Sequence, residues 1–139
     1  MRRTLIFPLL VTSIAVLLVA TAAASVEPIV SPKADPYYRY GGLKGTKGFG
    51  RVKPRKIYYG GDPTGLVCDI HWHSWGGRVA RGTGVGWYIS GNQSVAQGHA
   101  AIATVIASKL GTWKGRPAYN RLTWSFPNHG RDRPASSCV

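Results

Sequence analysis

Acidic residues are what this 139-residue chain has least of: 5 Asp and Glu stand against 18 Lys and Arg, for a formal net charge of +13. That excess is above the magnitude of about 2 to 8 that solubility asks of a small domain, so it also attracts polyanions; it selects the sign of a partner and not the partner. Cysteine is nearly as scarce. Cys68 and Cys138 are the two present, too far apart for a zinc knuckle, and their even number in an exported chain points to one disulfide, with two free thiols as the other reading. If bonded they leave no nucleophilic thiol, and no Ser-His-Asp or Cys-His set can be argued. Gly82-x-Gly84-x-Gly86 lacks the Lys and the following helix of a phosphate loop, so no cofactor is called for.

Long apolar runs are confined to the first residues. Arg2-Arg3, the apolar stretch from Leu5 to Ala20, and Ala22-Ala23-Ala24-Ser25 have the charged region, apolar region and small-residue cleavage site of an export signal. Residues 1–24 are read as that signal, with the mature chain starting at Ser25. The run also approaches the length of about 20 residues that spans a bilayer; Pro8 and the small-residue end favour cleavage, which would leave no stable membrane span. The expected location is extracellular, including association with the cell wall.

Branched aliphatics are sparse in residues 25–64, which carry Pro28, Pro32, Pro36, Pro54 and Pro63 and the basic series Lys33, Arg39, Lys44, Lys47, Arg51, Lys53, Arg55 and Lys56. With little apolar surface to offset chain ordering, the expectation is a disordered basic arm without secondary structure. Interleaved Tyr37, Tyr38, Tyr40, Phe49, Tyr58 and Tyr59 suit phosphate pairing with stacking, or a linker whose tyrosines touch the domain. Lys53, Arg55 and Lys56 are its candidate binding cations.

Residues 65–139 form the expected domain. Cys68, Ile70 and Trp72 alternate with Asp69, His71, His73 and Trp75, Gly76-Gly77 turns the chain, and a second alternating strand runs from Arg78 to Ile89. Glycines 82, 84 and 86 on one face of that strand allow a ring, another layer or a bulge to come close. Asn92-Gln93-Ser94 is a formal glycosylation sequon. Ala100 to Leu110 has helical spacing at Ile102, Val105, Ile106 and Leu110 but β-branched density at Thr104-Val105-Ile106; strand is preferred, because a turn over Gly111 to Pro117 and a strand from Ala118 to Phe126 then close a second hairpin. A small all-β domain follows, an antiparallel sandwich or partly open barrel, monomeric or weakly associating.

With these elements placed, Ile70-His71-Trp72-His73-Ser74-Trp75-Gly76-Gly77, Gly82-Thr83-Gly84, Gly115-Arg116-Pro117-Ala118-Tyr119 and Leu122-Thr123-Trp124-Ser125-Phe126-Pro127-Asn128-His129-Gly130 resemble a group of small exported actinobacterial proteins of uncharacterised function. The resemblance spans about half of the chain and implies a secreted all-β domain with no activity attached. Many of that group have Cys where this chain has Trp113, so no disulfide carries over from the resemblance, and the Cys68–Cys138 bridge is an expectation from this sequence alone.

Several constellations bear on chemistry. Asp69-x-His71-x-His73 puts a carboxylate and two imidazoles on one strand face, a weak metal candidate that His99 or His129 would have to complete, against the commoner reading of solvated surface histidines. His129 beside Arg131 is the candidate general acid of a small nuclease-like hydrolase, with Asp69, Asp62, Asp132 or a second His such as His71 or His73 as base. Trp72 and Trp124 share faces with Ile70 and with Leu122 and Phe126, which marks them as core. Trp75 and Trp113, at hairpin ends, are expected to be exposed, with Arg78, Arg81, Lys114 and Arg116 near them. The favoured reading is a non-enzymatic protein that binds an anionic polymer or carbohydrate at the cell surface, nucleic acid included; the hydrolase is the alternative.

Overall fold

The computed structural model describes residues 24–135 and Cys138. The expected export segment therefore lies outside the described residues except for Ala24. Among the described residues no helix is long and apolar enough to cross a membrane.

Six strands form one mixed sheet that curls into a half-barrel. In chain order they are β1 (Ile29–Val30), β2 (Ile57–Tyr58), β3 (Leu66–Ser74), β4 (Ala80–Tyr88), β5 (His99–Trp113) and β6 (Arg116–Ser125). Their order across the sheet is β1-β6-β5-β4-β3-β2. Antiparallel pairing runs from β2 to β6, while β1 joins β6 in parallel, Val30 opposite Tyr119. The partly open barrel read from the alternation is borne out, and so is the strand reading of Ala100 to Leu110, where Ala101, Ala103, Val105 and Ala107 are fully buried. The β5–β6 turn is tighter than the segment expected, because Lys114 and Gly115 take φ of 47° and 75° and so suit a two-residue hairpin turn.

The glycines of β4 face inward for the reason their alternation suggests. A Cβ on Gly82 would stand 3.2 Å from Trp72 Cε3, and one on Gly86 would stand 3.0 Å from Phe126 Cζ. Missing side chains on β4 thus make room for rings from β3 and from the end of β6, which fills the narrow interior without overpacking. Trp72, Trp124 and Phe126 pack against the core as expected.

The alternation of β3 breaks at Asp69. Its φ of 49° and the register shift between Cys68 and His71 form a β-bulge, which reverses the inward and outward phase of the strand. Val67 and Ile70 both enter the core, whereas Cys68, expected on the face of Ile70, is buried outside that cluster. Cys68 is bonded to Cys138, with Cα atoms 6.2 Å apart across a sequence separation of 70. Closing a loop of that length stabilises by about 4 kcal/mol in the chain-entropy account.

The largest correction concerns residues 25–64. Far from lacking secondary structure, this segment supplies both edge strands and buries Ile29, Val30, Ser31, Ala34, Asp35 and Ile57. Val30, Ala34 and Ile57 belong to the same core as Val67, Val105 and Tyr119. Its few branched aliphatics are placed where the sheet has unpaired edges, and edge hydrogen bonding supplies what apolar area alone would not. Between the two edges, Lys47 and Tyr58 exchange backbone hydrogen bonds of 2.9 and 3.0 Å, the Gly50 N–H donates to Val30 O at 2.7 Å, and the Val30 N–H donates to Arg51 O at 2.9 Å. Residues 47–51 thus bridge β2 and β1 and span the open side of the half-barrel.

Candidate anion-binding site

The bridge that spans the sheet edges also carries the most basic concavity described. A depression of about 560 Å³ is lined by Lys47, Arg51, Arg55 and Lys56 together with Thr46 and Phe49, and no carboxylate is among its lining residues. All four cations are exposed, so they retain their hydration and act as a solvated positive field rather than as buried charges.

Their backbone is fixed to the sheet. The bulge at Asp69 takes the Ile70 N–H out of the β3–β4 register, and it donates to Arg55 O at 3.0 Å. Next to it the Trp72 indole N–H donates to Pro54 O at 2.9 Å. Lys47 and Arg51 are held by the bridging bonds to Tyr58 and Val30. Each cation of the depression therefore lies on or beside a residue hydrogen-bonded to a strand, which lowers the ordering cost of binding. On the inner side Phe49 stacks on Tyr59 at 6.0 Å, and Tyr59 on Trp124 at 4.8 Å. Burial, reinforced by the negative charge of Asp35, pushes the Tyr59 hydroxyl well above its ordinary 10.0.

Of the residues singled out from sequence, Arg55 and Lys56 line this depression. Lys53 does not; its Nζ is 2.6 Å from Glu27 Oε1 in an exposed ion pair. Trp75 corrects the expectation of exposure. Its ring packs edge-on against Trp72 at 4.6 Å and Tyr119 at 5.1 Å, and its N–H donates to Pro28 O at 3.0 Å. The turn it occupies is drawn inward because the Tyr119 hydroxyl accepts from the Gly76 N–H at 2.9 Å and donates to Gly77 O at 2.7 Å. Arg78 and Arg81, beyond that turn, are exposed and do not line the basic depression.

Trp113 is half-buried at the β5–β6 hairpin end. Tyr38 meets it edge-on at 5.7 Å, and Lys33 Nζ and Lys114 Nζ stand 5.7 and 5.5 Å from its ring centroid. An indole already facing two ammonium groups concentrates positive charge, each contact contributing about 0.5–1 kcal/mol at an exposed site. Trp113 is thus an organiser of cations more than a bare stacking surface. Arg116, two residues past Lys114, is exposed beside them.

The candidate catalytic residues are divided. Asp69 and His71 line a second depression, of about 260 Å³, on which Pro134 and Ala135 of the tail also lie. The tail is pinned there by the Ile102 N–H donating to Asp132 O at 3.0 Å, and beyond by the disulfide. His129 is not in that lining. It is exposed, with φ of 49°, in a turn whose N–H donates to Phe126 O at 3.0 Å. Its neighbour Gly130 is buried where a Cβ would overlap the Tyr88 ring, which explains the His-Gly pair structurally. The His73 ring reaches Thr83 Oγ1 at 3.0 Å, and the His99 ring reaches Gly130 O at 2.9 Å. Among the described residues no three His, Cys, Asp or Glu side chains converge as a metal site would need.

Lys47 and Arg51 were visible only as members of a charge series, and Asp35 carried no signal as a site residue. A signal that could have shown order in residues 25–64 is Ser31-Pro32, an N-cap followed by Pro: Ser31 Oγ accepts from the Lys33 N–H at 3.1 Å and Pro32 opens the 3-10 turn. No protein family, no curated protein and no solved structure matches this chain.

Proposed function

We propose that this is an exported, non-enzymatic protein that binds anionic polymers at the cell envelope. The observation that carries the reading is the concavity ringed by Lys47, Arg51, Arg55 and Lys56 without a carboxylate, its backbone tied to both edges of the sheet. Four solvated cations attract a polyanion from a distance and hold it through hydrated, salt-sensitive contacts. The apolar run behind Arg2-Arg3 supports export, and a disulfide suits an oxidising compartment.

The test is a calorimetric titration of the chain from Ser25 with an anionic wall-polymer fraction at rising salt, alongside a double Arg55→Ala, Lys56→Ala variant and His129→Ala. The expected result is binding that weakens steeply with salt, falls roughly tenfold in the double variant and is unchanged in His129→Ala. Salt-insensitive binding, or affinity untouched by the double variant, contradicts the proposal. Turnover of the polymer that His129→Ala abolishes would establish the hydrolase instead.

A further inference from the structure

The basic depression does not end at Phe49. Thr46 and Phe49 also line a second hollow with Pro32, Asp35, Tyr38 and Gly42, of about 180 Å³. Asp35 and Tyr38 in turn line a third, of about 410 Å³, with Lys33, Pro36 and Arg39. Thr46 and Phe49 line both the first and the second hollow, and Asp35 and Tyr38 both the second and the third, so the three adjoin in series as a segmented groove. The series starts among Lys47, Arg51, Arg55 and Lys56, passes Phe49 and Tyr38, and ends beside Lys33 and Arg39, where Tyr38 and Lys33 both touch Trp113.

The middle of this groove differs from its ends in sign. Asp35 is 7% exposed, and its Oδ1 accepts from the Tyr37 N–H at 2.9 Å. Its Oδ2 has no donor among the described residues and faces Gly42, where φ is +73° and an added Cβ would stand 3.4 Å away. A carboxylate held between two cationic ends repels an anion at that point and accepts a hydrogen bond from a hydroxyl. The aromatic faces of Phe49 and Tyr38 beside it suit the C–H face of a polyol or sugar.

Resting on the anionic-polymer reading above, we infer that the groove takes a linear phosphodiester polymer of polyol or sugar units, phosphates at both ends and a hydroxylated unit donating to Asp35 between them. Two classes of subsite on one chain make affinity rise with ligand length, because the second contact becomes intramolecular.

The probes are glycerol phosphate, short and long glycerol-phosphate oligomers, inorganic polyphosphate, which has no hydroxylated unit, and a single-stranded RNA oligomer. Binding is measured on the oxidised chain from Ser25. The long oligomer is expected to bind roughly a hundredfold more tightly than the monomer, and a Lys33→Ala, Arg39→Ala variant to remove most of that gain with a much smaller loss for the monomer, which still has the Lys47, Arg51, Arg55 and Lys56 end. Asp35→Asn keeps an oxygen for the Tyr37 N–H and removes the charge; it should weaken the oligomer roughly tenfold and strengthen polyphosphate. A melting curve confirms that each variant is folded, and Tyr38→Ala, on an exposed ring, repeats the test for the oligomer should Asp35→Asn not fold. If Asp35→Asn strengthens both ligands, or affinity does not depend on length, the groove is overturned while salt-sensitive binding at the basic depression still stands. If RNA alone responds to Asp35→Asn, the polyol-phosphate assignment is overturned.

Discussion

The four long strands and the segment before them reach the same order by different routes. In the long strands the information is periodic, most plainly in β4 and β5, where inward Ala, Gly and Val alternate with larger outward residues such as Arg81, Thr83, Ile102, Thr104 and Ile106, and each strand is held by a long antiparallel partner. Residues 25–64 have no period. Their order rests on a few residues, Ile29, Val30, Ala34, Asp35 and Ile57, each buried, and on backbone bonds to strand edges. The periodic region makes a scaffold, and the aperiodic one, free of strand geometry, carries the exposed cations and the turns that shape the groove. Binding residues often gather on loops that a rigid scaffold positions; here the loop also spans the scaffold's open side.

Ile57→Ala separates the two descriptions of the segment most sharply. A fully buried Ile in the shared core should cost about 2–5 kcal/mol on truncation, read as a lower midpoint in urea; an arm that is not packed would give almost no change. Tyr119→Phe tests the seam between scaffold and segment. It strips the hydroxyl that accepts from the Gly76 N–H and donates to Gly77 O, and the loss of two partly buried hydrogen bonds should cost about 2 kcal/mol. An unchanged midpoint would mean that the Trp75 turn is positioned by ring packing alone.

The smallest effect is alkaline. Burial raises the pKa of Tyr59 and of Tyr119 above the ordinary 10.0. The folded state therefore holds these protons more tightly than the unfolded chain. The resulting stability is complete below an unfolded pKa near 10 and is lost as pH rises toward the folded values. Melting temperature should decline above that pH, and Tyr119→Phe should remove part of the decline. A flat profile would place both phenols in water.

Legibility followed the same division. The β5 strand was visible in Thr104-Val105-Ile106, the inward face of β4 in its alternating glycines, and the buried indoles in the faces that Trp72 and Trp124 share with aliphatics. The Asp69 bulge was not, since nothing in an alternating pattern marks a residue at φ of 49°, and its effect on the phase of Cys68 passed unseen with it. Trp75 was misplaced because its burial depends on a hydroxyl 44 residues away, at Tyr119, and on the Pro28 carbonyl. Two-residue strands such as β1 and β2 leave no periodic trace; their stability comes from the partner edge. At the candidate site the cations were legible as a charge series, but their convergence, and Asp35 among them, required the path of the backbone.

Amide hydrogen exchange of the oxidised chain from Ser25, without ligand, tests the central claim most directly. The Val30, Lys47, Gly50, Tyr58 and Ile70 N–H groups donate to Arg51, Tyr58, Val30, Lys47 and Arg55. They should exchange with protection approaching that of Val105 in β5. Exchange of the Val30, Lys47, Gly50 and Tyr58 amides at the rate of an unstructured peptide, with Val105 still protected, would contradict a groove built before its ligand arrives.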